Sequence, residues 1–291
     1  MGIDARRAPR PRPRLAPGPA VVFVVLFLGA CVSLMPFLYM LSTSLKTLGE
    51  TGARVSPLPF APEFWPQVPQ WTNYASAWKE ASFSLYFRNS VITAAITVVG
   101  VLVTSSLAAY AFAKIRFFGS RAIFAFLLAT LIIPESVYLV PNFILVTRLG
   151  WYDSLAGLTV PFMASAFYIF LLRQFFAQLP NELLESARID GAAHARAFFS
   201  IVLPLATAPL FTVVFLAFIG SWNSLQWPLV VTGTPRWRPI TVGLTTFISE
   251  AGPQEHLRMA GAVIAVAPVI LLYILAQKQF TEAIARSGIK G

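Results

Sequence analysis

Six stretches of this sequence are long and apolar enough to cross a lipid bilayer, and no other feature constrains the fold as strongly. They lie at about 19–42, 91–113, 122–146, 155–173, 201–222 and 260–277. Each has the length, roughly 17 to 25 residues, with which a helix spans the hydrocarbon layer. Because unpaired backbone groups are costly in lipid, we expect every span to be helical. The sequence therefore predicts an all-α membrane protein with six transmembrane helices.

The composition agrees with a membrane environment. Of the 291 residues, 57% are hydrophobic and only 12% are charged, whereas a soluble protein of this length needs more surface charge. The formal net charge of +10 raises the question of nucleic-acid binding. The basic residues lie mainly between the apolar stretches and form no aromatic-basic face, so we expect no nucleic-acid partner.

The only cysteine, Cys31, excludes an intramolecular disulfide and a cysteine-based metal site. Basic residues precede the run Leu28-Gly29-Ala30-Cys31, which is similar to a lipoprotein cleavage site. The apolar run continues to Met40, however, and about 23 apolar-rich residues from Val21 exceed the apolar region of a cleaved signal. We therefore predict an uncleaved first span in which Cys31 is a small buried residue.

The distribution of the 22 Lys and Arg residues predicts the orientation. If the N-terminus is cytoplasmic, the inside segments carry most of these residues and the outside loops are the longer ones, as the positive-inside rule requires. We therefore expect both termini to be cytoplasmic. The predicted organisation is a disordered basic tail at 1–18, a six-helix transmembrane domain at 19–278 and a cytoplasmic C-terminal tail at 279–291.

A charged, helix-forming segment, ESARIDGAAHARAFF at 185–199, lies between the fourth and fifth spans, on the cytoplasmic side of this topology. Pro180 and Asn181 predict a helix start just before it, because asparagine caps free amide groups. Glu182 and Glu185 fall in the first turns, where the helix dipole favours negative charge.

Gly191 is expected to end this helix, since glycine accepts the left-handed backbone of a C-terminal cap. Asp190 is expected to cap a second helix that begins at Ala192 and runs toward Phe198. The segment is therefore a helix-turn-helix outside the bilayer. Its amphipathic pattern alone leaves open whether it lies on lipid headgroups or docks onto another protein.

The stretch ELLESARIDGAAHARAFFSIVLPL at 182–205 resembles the EAA loop of permease subunits of binding-protein-dependent ABC importers. The family pattern of Glu-Ala-Ala, Gly and Ile-x-Leu-Pro is matched by Glu185-Ser186-Ala187, Asp190-Gly191 and Ile201-Val202-Leu203-Pro204. Ser186 in place of alanine is the one departure. The Asp-Gly pair is similar to the carbohydrate-import branch of the family.

Further stretches resemble sugar permeases: WTNYASAWKE at 71–80 with YFRNSVI at 86–92, SWNSLQWPLVVT at 221–232, and GIKG at 288–291. The chain is most similar in pattern to the second permease subunits of maltose-type and glycerol-phosphate-type systems. This resemblance implies the ABC importer permease fold in a bacterial cytoplasmic (inner) membrane. It also implies import of a sugar, an oligosaccharide, or a related polyol or glycerol phosphate.

The resemblance implies that the segment at about 178–200 is a coupling loop, which docks onto a cytoplasmic ATPase and passes its closure to the spans. Glu185 would be the polar contact to that ATPase. Asp190 and Gly191 would set the bend, and the Ile-x-Leu-Pro residues would seat the loop on the bundle. The implied coupling residues are Glu182, Glu185, Ser186, Ala187, Asp190, Gly191, Ile201, Leu203 and Pro204.

The implied partners are a second permease subunit in a heterodimer, a homodimeric cytoplasmic ATPase, an extracytoplasmic solute-binding protein and membrane lipid. The sequence contains no G-x-x-x-x-G-K-[ST] motif, so this chain is not expected to bind ATP. ATP and Mg are expected on the partner ATPase subunits. For this chain we expect no enzymatic activity, no catalytic residue, no cofactor and no metal site.

Three residues are candidates for the solute path or for contact with the solute-binding protein: Glu135, Asn223 and Trp227. An ionisable group at membrane depth is costly and is therefore a functional candidate. Alternatively, Glu135 lies near the outer membrane face or pairs with the second permease. Alternatively, Trp227 is an anchor at the membrane–water interface.

Two other classes of protein remain as alternatives on the residues alone. An ion-coupled secondary transporter typically carries internal repeats, broken helices and buried ionisable groups, but the sequence shows no clear repeat and only Glu135 as a coupling carboxylate. A membrane enzyme needs a convergent cluster of acid, base or metal ligands, and the spans contain too few such residues.

Overall fold

The computed structural model of the chain describes residues 18–52, 59, 61–80, 82–250 and 254–288. This part of the chain is helical and contains no β-strand. The helices are α1 (Pro19–Ser44), α2 (Leu48–Gly52), α3 (Thr72–Glu80), α4 (Phe83–Lys114), α5 (Ser120–Ala129), α6 (Glu135–Arg148), α7 (Leu155–Thr159), α8 (Ala166–Gln178), α9 (Glu182–Ile189), α10 (His194–Ala197), α11 (Leu203–Leu205), α12 (Thr207–Trp222), α13 (Gln226–Val231), α14 (Ile240–Glu250) and α15 (Glu255–Gly288). Short 3₁₀ turns lie at Pro62–Phe64, Thr130–Ile132 and Val160–Phe162, and a π-helical segment at Phe198–Val202.

The structure describes only part of the two predicted tails. Residues 1–17 of the predicted basic tail and residues 289–291 of the C-terminal tail lie outside the described residues. Helix α15 continues to Gly288, so most of the segment at 279–291 extends the last span as a helix.

The six predicted spans coincide with three continuous apolar helices and three bent pairs. The continuous helices are Ala20–Ser44, Phe83–Lys114 and Glu255–Gln277. The bent pairs are Ser120–Ile132 with Glu135–Arg148, Leu155–Phe162 with Ala166–Gln178, and His194–Leu205 with Thr207–Trp222, at angles of 104°, 43° and 80°. If each bent pair is one span, the described chain crosses the membrane six times.

Local chemistry explains the sharpest of these bends. Pro134 follows Ile133 and has no backbone N–H, so the helix before it cannot continue. The residue before a proline is also driven out of the helical region, and Ile133 has an extended backbone with ψ of 118°. A new helix, α6, then begins at Glu135 in a different direction.

Helix α4 runs through the centre of the bundle, against α8 on one side and α12 on another. The largest core cluster joins these three helices to α9, α10 and the π-helical segment, and its buried members include Val101, Tyr110, Leu172, Phe176 and Val213. Helix α1 is different, because its apolar residues are exposed along most of its length. Cys31 is exposed on that surface, so the prediction that it is buried in this chain was wrong: α1 faces outward and packs on its neighbours only near its C-terminal end.

The described part of the segment between α1 and α4, which the predicted topology makes the first outside loop, is folded around a buried lysine. The Lys46 side chain is fully buried, and its Nζ donates a hydrogen bond of 2.6 Å to the carbonyl of Glu63. Burial lowers the pKa of Lys46, although nearby carboxylates, Glu50 first among them, oppose that shift. Asn73 in α3 donates to the carbonyls of Ser44 (2.9 Å) and Lys46 (2.8 Å), which fastens the loop to the end of α1.

The segment after α13, which the predicted topology places in the last outside loop, is fastened to two neighbouring elements. Asn89 of α4 donates through Nδ2 to the carbonyls of Arg236 (2.9 Å) and Arg238 (3.0 Å). The Asp153 carboxylate accepts hydrogen bonds from the Gly233 amide and from the Thr234 amide and hydroxyl, at 3.1, 3.2 and 2.7 Å. Burial raises the pKa of Asp153, but these donors outweigh it and hold the pKa below its ordinary value. The loop is therefore held in one arrangement over the bundle.

Candidate functional site

The predicted helix-turn-helix segment at about 178–200 is called the hairpin below. Its first helix has one face that packs on the bundle and one face that is exposed. Helix α9 begins at Glu182, as the sequence predicts. Leu184 and Ala187 are buried, and Leu184 belongs to the core cluster around α4. On the other side Glu182, Glu185 and Ser186 are exposed. The free face also carries apolar side chains, since Leu183 is 41% exposed and Ile189 is 87% exposed.

A Schellman motif ends α9. Gly191 has a φ of +82°, in the left-handed region that favours glycine. Its amide donates to the carbonyl of Arg188 (2.9 Å), and the Ala192 amide donates to that of Ala187 (2.8 Å). These two bonds satisfy carbonyls that a helix end leaves free. The predicted helix end at Gly191 is confirmed, and Asp190 is the last residue before it, at the C-cap.

The second half of the hairpin departs from the sequence prediction. Its helix begins at His194, two residues later than Ala192, because Ala193 is extended, with ψ of 161°. Asp190 makes no side-chain cap to this helix, so that expectation was wrong. The segment from His194 to Leu205 is nearly continuous and meets α12 at an angle of 80°.

The Ile-x-Leu-Pro residues differ in their contact with the bundle. Ile201 and Leu203 are half-buried and Pro204 is exposed. The residues of His194–Leu205 that are buried in the core are Ala197, Phe198 and Val202.

Two polar contacts tie the hairpin to the C-terminal end of α4. The Lys114 ammonium donates to the carbonyl of Leu179 (2.6 Å) and to Asn181 Oδ1 (2.8 Å). Asn181 therefore does not cap α9 with its side chain, contrary to the sequence prediction. Lys114 on α4 therefore binds the residues that lead into α9.

His194 is the second tie. Its Nε2 lies 3.2 Å from Arg188 Nη2, and its Nδ1 lies 3.3 Å from the Tyr110 hydroxyl. Because arginine can only donate, Nε2 accepts, and a neutral ring then carries its proton on Nδ1, toward Tyr110. Tyr110 also donates to the His194 carbonyl at 3.4 Å. From the sequence alone, His194 is expected to be a surface residue, because nothing in the pattern indicates Tyr110 or Arg188 as its partner.

A cavity of about 520 Å³ lies in the other half of the bundle. Three interruptions of helix border it, at Thr130–Glu135, at Pro161–Ala166 and at Ser221–Pro228. Helix α4 supplies a further wall through Thr93, Thr97 and Val101. Non-helical backbone at membrane depth is tolerated where it is buried in protein or lines a water-filled cavity. The convergence of three interruptions on one cavity therefore indicates a polar passage.

The cavity walls are rich in hydroxyl groups. Its polar lining residues are Thr93, Thr97, Thr130, Glu135, Tyr138, Asn142, Ser165, Tyr168, Ser221 and Ser224. The Thr93 hydroxyl is buried and has no hydrogen-bond partner within the described part of the chain. Sequence reasoning missed this set, although Thr93 and Thr97, one helical turn apart in an apolar span, are a signal that could have indicated it.

The three candidate solute-path residues occupy different environments. Glu135 lines the cavity and is exposed in the first turn of α6. Trp227 also lines it, but is only 4% exposed and donates through Nε1 to the Gly157 carbonyl at 3.0 Å. Asn223 is exposed at the C-terminal end of α12 and is not among the described lining residues. The structure thus brings Glu135 and Trp227 together and leaves Asn223 outside.

Known proteins are similar to this chain in sequence and in fold. The family described as "Binding-protein-dependent transport system inner membrane component" matches residues 100–286. The sn-glycerol-3-phosphate transport system permease protein UgpE of Yersinia enterocolitica is 36% identical over 225 residues, covering 75% of this chain and 80% of that protein. The arabinooligosaccharides transport system permease protein AraQ of Bacillus subtilis is 32% identical over 227 residues, covering 78% and 81%.

One solved structure has the same fold. A chain in the crystal structure of a bacterial ABC transporter involved in the import of the acidic polysaccharide alginate matches with a TM-score of 0.78 and 24% sequence identity. The match covers 89% of this chain and 95% of that chain. The predicted all-α permease fold is therefore confirmed.

Proposed function

Because this chain belongs to the family of binding-protein-dependent transport system inner membrane components, we propose that its hairpin, 178–200, couples a separate ATPase to solute movement through the cavity. The chain is a permease subunit of an ABC importer, and the alternative of an ion-coupled secondary transporter is set aside. The broken spans, which are also found in secondary transporters, here form the wall of the importer's passage.

The observation that carries the coupling proposal is the division of α9 into two faces. Leu184 and Ala187 fix one face to the bundle, and the Lys114 and His194 contacts fix both ends of the hairpin to α4. The opposite face presents Glu185 beside the exposed apolar side chains of Leu183 and Ile189. A rigidly mounted helix passes the closure of a docked subunit to the spans, whereas a flexible loop would absorb it.

Each predicted coupling residue has a place in this mechanism. Glu185, with Glu182 and Ser186 beside it, meets the ATPase from the exposed face. Gly191, following Asp190 at the C-cap, sets the angle between the two halves of the hairpin. Ile201 and Leu203 lie against the bundle beside the buried Val202, and the exposed Pro204 ends that segment near the 80° bend.

The partners follow from the family. ATP and Mg are bound and used by a homodimeric cytoplasmic ATPase, so the permease itself carries out no hydrolysis. A solute-binding protein delivers the solute from the outside, and a second, non-identical permease completes the passage. Both termini and the hairpin are cytoplasmic, and the folded loops around Lys46 and Asp153 face outward.

The solute is carbohydrate-like. Relatives carry arabinooligosaccharides and sn-glycerol-3-phosphate by name, and the cavity of this chain is lined largely by hydroxyl groups. Its volume of about 520 Å³ falls within the range of roughly 300 to 1,000 Å³ that is usual for small-molecule sites. Glu135 and Trp227 lie on the solute path; Asn223, outside the cavity and exposed, is placed to meet the solute-binding protein.

A charge reversal on the exposed face of α9 tests the coupling proposal. We expect Glu185→Lys to leave the protein in the membrane but to lower the yield of co-purified ATPase about tenfold, because it replaces a carboxylate at the docking surface by an ammonium. Membrane abundance and ATPase yield are measured from the same preparation.

Lys79→Glu is the matched control, since this charge reversal is also at an exposed position but lies on α3, in the first outside loop. This variant is expected to keep the normal ATPase yield. An undiminished yield for Glu185→Lys contradicts the assigned contact. Equal losses for both variants show that charge reversal acts through folding and not through docking.

A further inference from the structure

The cavity contains a charge that its other lining residues do not balance. Glu135 is the only charged side chain among its described lining residues. Around it lie hydroxyl groups, such as those of Thr97 and Ser165, and aromatic rings, such as those of Tyr138 and Trp227. In the described part of the chain the Glu135 carboxylate has no salt bridge and no hydrogen bond, so no cation among those residues balances its charge.

Glu135 lies at the break in the third span, on the wall of the cavity. It is the first residue of α6 and directly follows Pro134. The preceding helical segment, Ser120–Ile132, has 13 residues, which is a rise of about 20 Å at 1.5 Å per residue. A segment of this length that enters a hydrocarbon layer of roughly 30 Å near Ser120 and runs along its normal brings Glu135 past the middle of that layer. A fixed charge between low-dielectric walls focuses its field on the space in front of it.

We infer that Glu135 is a charge filter, which makes the cavity admit uncharged polyhydroxylated solutes and repel anionic ones. This inference rests on the proposed role of the cavity as the solute path. Threonine and serine hydroxyls replace the water around sugar hydroxyls, since each can both donate and accept. A phosphate or uronate would lose its hydration opposite an uncompensated carboxylate, and like charges across an interface are strongly unfavourable. The cargo of this importer is therefore a neutral oligosaccharide or polyol, and not a glycerol phosphate or an acidic sugar.

The electrostatic potential of the cavity can be measured without knowledge of the cargo. In the full-length chain with its partner subunits, Cys31→Ser removes the only native thiol of this chain, and Ala164→Cys places a thiol at an exposed position of the cavity wall. Modification is read on this chain after it is separated from its partners. The modification rates are then compared for two methanethiosulfonates of similar size, one bearing trimethylammonium and one bearing sulfonate. Ala75→Cys, at an exposed position of α3 outside the cavity, is the reference.

After normalisation to a free thiol, we expect the cation-to-anion rate ratio at the Ala164→Cys site to exceed that at the Ala75→Cys site roughly tenfold or more. Glu135→Gln, which keeps the shape of the side chain, is expected to bring the two ratios together. Glu63→Gln, the matched control at an exposed carboxylate elsewhere, is expected to leave the difference intact. Equal ratios in the parent protein, or a ratio that Glu135→Gln does not change, overturn the inference and indicate a balancing cation on the second permease.

Uptake measured in proteoliposomes separates this inference from the proposed function. If the thiol modification rates show a negative potential in the cavity but no ATP-driven uptake is found, the proposed solute path is contradicted. The measured potential is still valid in that case. ATP-driven uptake of arabinotriose but not of glycerol 3-phosphate supports the filter. Efficient uptake of glycerol 3-phosphate contradicts the filter while leaving the importer function in place.

Discussion

Gly191 shows how much of the proposed coupling depends on one backbone angle. Its φ of +82° is accessible to glycine at little cost, and a side chain placed there would meet no atom within 4 Å. A substitution therefore acts through backbone strain alone and not through a clash. We expect Gly191→Val to lower coupled transport at least about tenfold, because a β-branched residue strongly resists the left-handed region. ATP-driven uptake in proteoliposomes measures this.

Gly191→Asn is the matched variant, since asparagine tolerates left-handed backbone better than other non-glycine residues. It is expected to retain most of the uptake. If the valine variant transports at the normal rate, the bend is not needed for coupling. If both variants fail equally, the cause is loss of the glycine itself and not the backbone angle.

At the residue scale, the sequence predicts what depends on near neighbours. The end of α9 at Gly191 follows from local capping, and it is found. The start at Glu182 is also found, although Asn181 does not cap it with its side chain. The sequence does not reveal that Asn181 is held by Lys114 or that His194 meets Tyr110, because those partners lie 67 and 84 positions away. Side chains that are drawn into such distant bonds no longer cap the helix next to them.

At the scale of elements, hydropathy locates the spans but not their shape. A window of apolar residues has the same mean hydropathy whether the helix is straight or bent by 104°. Pro134 marks one break in the sequence, whereas the break before Ala166 has no comparable signal immediately before it. The cavity depends on where the breaks meet in space, so its lining could not be predicted beyond Glu135 and Trp227.

Gly100 sets the distance between α4 and the break in the fourth span. A Cβ atom at this position would overlap the side chain of Met163, and the nearby Thr104 hydroxyl donates to the Met163 carbonyl. Because a packed interior has little room to move, we expect Gly100→Val to lower the free energy of unfolding by about 1 to 3 kcal/mol. Thermal unfolding of the purified protein in detergent measures the change.

Gly29→Val is the control for Gly100→Val, since Gly29 lies on the exposed surface of α1 with nothing within 4 Å. Its unfolding temperature is expected to stay within about one degree of the parent protein. A stable Gly100→Val variant shows that the two elements separate without cost, and the cavity wall then has no fixed position.

In the whole molecule, α4 connects the two proposed sites. Tyr110 and Lys114 hold the hairpin at one end, and Thr93 and Thr97 line the cavity toward the other. Thr97 and Tyr110 are 13 residues apart along one unbroken helix, which is about 20 Å. We therefore expect a single rigid element to transmit a movement of the hairpin to the cavity wall. This arrangement separates the site of docking from the site of solute passage by much of the bilayer thickness.

This separation predicts that α9 and α3 are accessible from opposite faces of the membrane. In a Cys31→Ser background, Ser186→Cys lies on the free face of α9 and Ala75→Cys on the exposed surface of α3. A membrane-impermeant maleimide added to intact spheroplasts is expected to label the Ala75→Cys protein and not the Ser186→Cys protein. After permeabilisation and removal of the ATPase from the membranes both are expected to react, because both positions are exposed in the chain. Labelling of the Ser186→Cys protein in intact spheroplasts would place α9 outside, where no ATPase can reach it, and the coupling mechanism would then fail as a whole.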